Sequence, residues 1–407
     1  MNIESDSIVV TGLGVVSATG LNTEQFWNSM LAGKGGYSQV TAFDLSGQRT
    51  TVGCEIQNFD ENSVITAGLQ VGGRATRMAV TAAAEALAQA ELHPDVLQKK
   101  RVGVSLGTTM GEIRVLENFM DTELGKGKAD RSLLRHYPCA VIPLGLAEFF
   151  NIQGPNLMIP TACAAGNFAI GAGRDLLLRG KADFMIVGGV DPYSRVAHTG
   201  FNRLFSVSPD LCRPFDAHRR GLVIGEGAGI LILETEKSAR NRGVKILAKV
   251  LGYGLSNDAF HITKPLVDGS GLLKAMNRAL KMSDRKPEDI DYICAHGTGT
   301  PANDAGETMG IKRLLGPRAY RTPVSSIKSM IGHAMGAASA LEAVACVMAL
   351  NTGMLPPTTN YQTPDSECDL DYVPNQSRKV DVNLVMSNSM AFGGNNSSLI
   401  LERVSHE

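Results

Sequence analysis

Cys163 stands in Met158-Ile159-Pro160-Thr161-Ala162-Cys163-Ala164-Ala165-Gly166, between an apolar run at 157–159 and small residues of helical spacing at 164–178. That order predicts a buried strand, a sharp turn and a buried helix, with the thiol at or near the first helical residue. A helix N-terminus carries partial positive charge and free N–H groups. A cysteine there is expected to ionise more readily and to act as a nucleophile, and its own N–H can help to hold an oxyanion. The competing role is a structural buried thiol, the commoner fate of a cysteine.

Three further glycine-rich segments bear on that choice. His296 lies in Cys294-Ala295-His296-Gly297-Thr298-Gly299-Thr300, Lys328 and His333 lie in 326–336, and Phe392-Gly393-Gly394 lies in 387–396. Each follows an apolar run that reads as a strand. Sites in open α/β sheets gather beyond the carboxyl ends of strands, so such loops converge. One Cys with two His then makes a nucleophile plus a donor pair. A lone buried His is usually a hydrogen-bonded core residue, but two of them beside glycines in post-strand loops fit that role poorly. Lys328 sits among apolar residues, and a buried cation needs a partner. Glu307, on the helix after the His296 loop, is the candidate. Phe392 would read as core, yet its glycine flanks permit unusual backbone angles and movement. No zinc-ligand spacing joins the Cys and His positions.

These loops need strands and helices to position them. Strands are expected at 7–12, 101–106, 157–159, 184–187 and 229–234, with helices at 79–92 and 164–179. A similar cycle then begins: strands at 246–252, 291–295, 324–326, 382–386 and 398–402, helices at 271–282, 303–315 and 336–350. Such alternation predicts layered α/β architecture in two halves of similar order, without a residue-by-residue repeat. The expected division is 1–250, carrying Cys163, and 251–407, carrying His296, Lys328, His333 and Phe392. Gly12-Leu13-Gly14 is expected as a loop, and it lacks the third glycine of a dinucleotide fingerprint.

The chain has 407 residues, beyond the size at which one core usually keeps growing. Lys+Arg 39 against Asp+Glu 40 leaves a net charge of −1, which argues against bulk attraction to nucleic acid or membrane. The seven cysteines include no CxxC pair; a reducing cytoplasm is the simplest setting. Residues 1–6 are acidic and polar, unlike a signal peptide. No apolar run approaches the ~20 residues that span a bilayer, so a soluble protein is expected.

Together these residues resemble the β-ketoacyl-acyl-carrier-protein synthases of the thiolase-like superfamily, closest to the elongating type II enzymes. The resemblance runs from Val10-Thr11-Gly12-Leu13-Gly14 through Thr161-Ala162-Cys163, Arg213-Pro214-Phe215-Asp216 and Gly225-Glu226-Gly227-Ala228-Gly229. It continues through His296-Gly297-Thr298-Gly299-Thr300 with Asn303-Asp304, then Lys328, Gly332-His333 and Phe392-Gly393-Gly394. It implies an α/β thiolase-like fold with a five-layer αβαβα arrangement, and a Cys163-His296-His333 triad. Cys163 would carry the acyl group, and the two histidines would donate to the malonyl thioester as CO2 leaves. A cysteine in place of His333 would suit thiolase chemistry instead. The N–H groups of Cys163 and Phe392 would form an oxyanion hole, with Phe392 and Gly393 as a gate. Lys328 and Glu307 would form a supporting ion pair. Thr263, Thr298, Thr300, Met110 and Phe201 would line the pantetheine and acyl channel. No cofactor is implied, since phosphopantetheine arrives on the acyl carrier protein. The partners implied are that carrier, with Arg74 and Arg77 as docking cations, and either a second copy or a chain-length-factor-like subunit. Retention of Cys163 argues against a non-catalytic chain-length-setting role.

Departures from the elongating pattern point to substrate. Met390, Ala391 and Asn395 replace the usual Phe, Gly and Thr of the final loop. Asn167 and Phe168 follow the nucleophile, and Glu112 is expected near the acyl pocket. An ordinary saturated chain suits these poorly; a poly-β-keto or polyene chain suits them better. The Cβ of Ala391 implies a stiffer gate hinge or less extreme backbone angles.

Overall fold

The computed structural model describes residues 7–404; the acidic stretch 1–6 lies outside them. The first half supplies β1 (Ile8–Ser17), β2 (Val102–Gly107), β3 (Asn156–Ile159), β4 (Phe184–Asp191) and β5 (Gly227–Thr235). The second supplies β6 (Ala248–Asn257), β7 (Tyr292–Cys294), β8 (Val324–Ser325), β9 (Leu384–Met390) and β10 (Asn395–Glu402). The ten strands run in the order β8-β7-β9-β10-β6-β1-β5-β4-β2-β3. Within each half this is the order 3-2-4-5-1, with the first three positions parallel and the rest antiparallel. The halves join where Val9 and Val10 of β1 pair with Lys249 and Ala248 of β6.

The layers follow from which faces are apolar. Helices α2 (Ala165–Leu178) and α5 (Ala338–Thr352) lie between the halves, sharing one core with Val10, Leu13, Leu231, Val385 and Leu399. Helix α5 is buried on nearly every side, which fits its lack of a polar face. Helix α1 (Arg74–Gln89) covers the outer face of the first half through Ala79, Ala83 and Ala86. Helices α3 (Ser270–Ser283) and α4 (Pro301–Leu315) cover the second through Leu272, Met276 and Ile311. The stretch Met335–Thr352, 18 residues long, has the length and apolarity to cross a membrane, but 83% of it is packed inside this core.

Gly12 and Gly14 are not in a loop but inside β1. A Cβ at either would stand 2.0 or 1.8 Å from a carbonyl oxygen of α1, so their use is close packing of helix on strand. Most expected elements are present with ends shifted by a few residues. Helices at Thr23–Leu31, Ile113–Leu124, Val141–Phe149 and Arg195–Arg203 were not expected.

Candidate active site

The internal repeat brings two equivalent turns together. After β3 comes a 3-10 turn, Ala162–Ala164, and then α2; after β8 and the His333 loop comes a 3-10 turn, Met335–Ala337, and then α5. Each turn has a non-glycine residue with positive φ: Ala162 at 53° and Met335 at 50°. Such strained backbone persists only where its surroundings enforce it. Cys163 therefore sits one turn ahead of α2, and His333 just ahead of the matching turn.

The sulfur of Cys163 and a ring nitrogen of each of His296 and His333 all lie within 4.8 Å of one another. The imidazoles meet edge to face with centroids 5.4 Å apart. All three residues are buried. Three such ligand atoms would also be close enough to share a metal, although their sequence spacing does not suggest it.

The tautomers follow from the hydrogen bonds. Lys328 Nζ donates to His296 Nδ1 at 3.2 Å, and the Met335 N–H donates to His333 Nδ1 at 3.1 Å. With Nδ1 an acceptor in both rings, Nε2 carries the proton of the neutral imidazole. Burial, reinforced by the Lys328 charge, holds both histidines well below the usual imidazole range, so both rings are neutral N–H donors. Burial also pushes the Cys163 thiol up to about 12. A readily ionised thiol was expected; burial is the largest influence on it and acts against ionisation. The Lys328 charge and the N–H groups of Cys163 and Phe392, which reach the sulfur, act in the opposite direction.

Lys328 does not pair with Glu307. Its ammonium is bound by Glu342 on α5, and neither side chain is exposed. Glu307 instead accepts the N–H groups of His296 and Gly297 at 2.8 and 2.7 Å. Asp304, on the same helix, accepts those of Thr298 and Gly299 at 3.0 and 3.1 Å. Helix α4 thus fixes the His296 loop with two carboxyl groups. Glu342 was missed, though a lone acid in the small apolar helix Ala-Ser-Ala-Leu-Glu-Ala-Val-Ala signals a buried partner for a cation.

A cavity of about 340 Å³ reaches the triad, lined by Cys163, His296 and His333 with Thr263, Thr298, Thr300, Phe201 and Phe392. Phe201 and Phe392 pack with ring centroids 5.2 Å apart. Met110 is not in that wall; its N–H is bound to Asp191 at 2.7 Å. The Gly393 N–H is committed to the carbonyl of Ile262 at 2.8 Å, so it is not free for an oxyanion. Its φ of 80° instead turns the loop behind Phe392. Ala391 is extended, with φ −130° and ψ 155°, the less extreme of the two geometries expected.

Two supposed substrate contacts are structural. Glu112 is buried away from the cavity and accepts the N–H groups of Ala75 and Thr76, capping α1 where Gly73 offers no side chain. Asn167 points between the halves towards Ser387 and Ser397. The two expected docking cations are both paired with acids. Arg74 is sealed inside by Glu226, Glu61 and the Ile56 carbonyl, its side chain only 10% exposed. Arg77 shares Glu61 and lines a separate cavity of about 620 Å³ with Arg114, Lys128 and His136, which holds none of the triad.

Family models for the β-ketoacyl synthase N-terminal and C-terminal domains match residues 5–239 and 247–362. The chain belongs to the β-ketoacyl synthase family. It is 41% identical to 3-oxoacyl-[acyl-carrier-protein] synthase 2 of Synechocystis sp., over 99% of each chain. It is 38% identical to nodulation protein E of Rhizobium meliloti, over 98% of this chain and 99% of that one. The solved structure of the ishigamide ketosynthase/chain length factor is similar at a TM-score of 0.93 and 38% identity, covering 98% of this chain and 100% of that one. The thiolase-like, acyltransferase reading of the sequence stands on these likenesses.

Proposed function

We propose that the protein condenses an acyl group held on Cys163 with malonyl-acyl carrier protein, releasing CO2 and 3-oxoacyl-acyl carrier protein. The observation that carries this is the meeting of one thiol with two imidazoles whose Nδ1 atoms are both occupied. In the first half-reaction the Cys163 sulfur attacks the acyl thioester on the carrier. The bond to the pantetheine sulfur breaks, and the thiol's proton ends on that sulfur. The N–H groups of Cys163 and Phe392 hold the oxyanion. Malonyl carrier then enters along Thr263, Thr298 and Thr300, past the Phe201 and Phe392 rings. His296 and His333 donate to its thioester carbonyl. The C–C bond to the carboxylate breaks, CO2 leaves, and the electron pair forms an enolate that attacks the acyl carbon. Cys163 departs as thiolate and takes up a proton. Neutral N–H donors stabilise the enolate without the acidity that would quench it.

The half that ends before β6 carries the nucleophile and the half that begins with β6 carries the donors, which moves the division from 250 to just before Ala248. The prosthetic arm arrives on the carrier, so no bound cofactor is needed. Seven free cysteines suit a reducing cytoplasm. Likeness to the ishigamide ketosynthase/chain length factor supports a second, narrower reading: a ketosynthase of polyketide or polyene synthesis that works beside a chain-length-factor-like subunit.

Incubation with acyl carrier protein should add the acyl mass to the chain, and Cys163→Ala should abolish it. Labelling retained by that variant overturns the proposal. His296→Ala and His333→Ala should each slow decarboxylation of malonyl carrier about 10²- to 10³-fold, the usual effect of losing one oxyanion donor, and slow acylation less. Equal loss of both steps contradicts the division of roles. If the chain decarboxylates only when a chain-length-factor-like subunit is added, the second reading holds.

A further inference from the structure

Asp191, the last residue of β4, is fully buried and lies outside the cavity wall. Its carboxylate accepts four hydrogen bonds. Oδ1 takes Thr108 Oγ1 and the Met110 N–H, both at 2.7 Å; Oδ2 takes the N–H groups of Thr109 at 2.7 Å and Gly336 at 2.5 Å. These donors come from opposite halves of the molecule: 108–110 follow β2, and Gly336 belongs to the turn after His333. The segments touch so closely that a Cβ on Gly336 would stand 2.6 Å from the Thr109 nitrogen, and one on Gly189 would stand 2.5 Å from the Gly336 oxygen.

The Gly336 bond has a consequence for catalysis. It holds the Met335–Ala337 turn, in which Met335 has φ 50°. In that conformation the Met335 N–H points at His333 Nδ1. We propose that Asp191 is a positioning residue for His333, acting through Gly336 and Met335 to keep the imidazole an Nε2–H donor aimed at the malonyl thioester. A carboxylate suits the task because four donors converge and no acceptor is among them; an amide would direct its own NH2 at two of those donors. The charge is also felt at the nucleophile, where Asp191 pushes the Cys163 thiol up and Lys328 pulls it down. One buried anion therefore helps to keep the resting thiol protonated and the donor ring in register.

This rests on the condensing role given to His333, and the test separates the two. Wild-type enzyme that does not decarboxylate malonyl carrier protein defeats that role itself. Given active wild type, Asp191→Ala is expected to slow decarboxylation about 10²-fold, the effect of misplacing one donor. Acylation of Cys163 should fall by less than about tenfold, since its oxyanion donors lie elsewhere. The pH profile of Cys163 alkylation by iodoacetamide should move to lower pH, as loss of a nearby negative charge requires, and the loss of decarboxylation should fall on kcat with little change in KM for malonyl carrier, a split that a merely structural role would not produce. Thr108→Val removes another of the four bonds but leaves Gly336 held, so it should retain most decarboxylation. Wild-type decarboxylation in Asp191→Ala, or an equal loss in Thr108→Val, overturns the proposal. Should Asp191→Ala fail to fold, Asp191→Asn replaces it. Its alkylation profile should shift likewise and its decarboxylation should fall; wild-type behaviour in both overturns the proposal.

Discussion

Glu307 shows how a residue placed near the chemistry by sequence acquires its meaning only from its partners. Lys328 is the buried cation that its apolar surroundings imply, but Glu307 is not its partner. Glu342 takes the ammonium, and Glu307 takes two backbone N–H groups of the His296 loop. Burial pushes the Glu307 carboxyl up to about 8, while the His296 and Gly297 N–H groups pull it down. The folded protein thus binds this proton more tightly than the unfolded chain does, where an ordinary carboxyl titrates near 4.3. Its contribution to stability is fully present below the unfolded value and is lost as pH rises through about 8. Glu307→Gln has no proton to lose; it keeps one acceptor for the loop and turns its NH2 towards the other N–H, a cost that does not vary with pH. Thermal melts at pH 5.5 and 8.5 should therefore show the variant gaining on wild type at the higher pH. A difference that does not change with pH would mean that Glu307 does not titrate in this window.

At the scale of elements, the approach of α1 to β1 sets how firmly the first half is built. A Cβ at Gly14 would stand 1.8 Å from the Ala82 carbonyl oxygen, so helix and strand must part to admit it. Gly14→Ala is expected to cost about 1–3 kcal/mol, as overpacking does, and to lower Tm. Gly200, in the helix Arg195–Arg203, has open space where a Cβ would go. Gly200→Ala is expected to gain up to ~1 kcal/mol from helix propensity. Melts of the two variants should move in opposite directions; a common direction contradicts this account. The pair also marks the limit of sequence reading. Strands β1, β2, β4 and β5 and helix α5 were legible because their apolar runs are buried on both faces. Gly12 and Gly14 read as a loop because glycine in a strand and glycine in a turn look alike without the helix above them. The helices at Ile113–Leu124 and Val141–Phe149 were not read because they keep Met120, Leu124 and Leu144 exposed, so apolar residues fall on both of their sides. The triad was legible from glycine-flanked loops after strands. Thiol ionisation and the role of Asp191 were not, since each depends on groups of the other half; nor were the tautomers, which depend on the contacts of Lys328 with His296 and of Met335 with His333.

Across the whole molecule the internal repeat is exact in strand order yet breaks at the two ends of the sheet. The edge strand of the second half, β8, is covered: its Val324 N–H binds the Asp371 carbonyl at 2.8 Å, and Leu370 and Tyr372 pack into the adjoining core. The equivalent strand of the first half, β3, has no neighbour on its outer side among the described residues. Leu157 on that strand is 37% exposed, and Leu144 and Leu178 are exposed on the helices packed beside it. An apolar open edge with no charged residue on it, bounded by Pro155 and Pro160, is a surface for pairing with another chain. The edge lies four residues before Cys163, so pairing there would also steady the nucleophile turn. Leu157→Lys places a charge on the edge, the device by which natural sheets prevent such pairing. Light scattering on the purified chain should show a dimer for wild type and a monomer for the variant at micromolar concentration. A wild-type monomer that dimerises only when a chain-length-factor-like subunit is added would make the pairing heterologous along the same edge. A variant with undiminished mass would place the interface elsewhere.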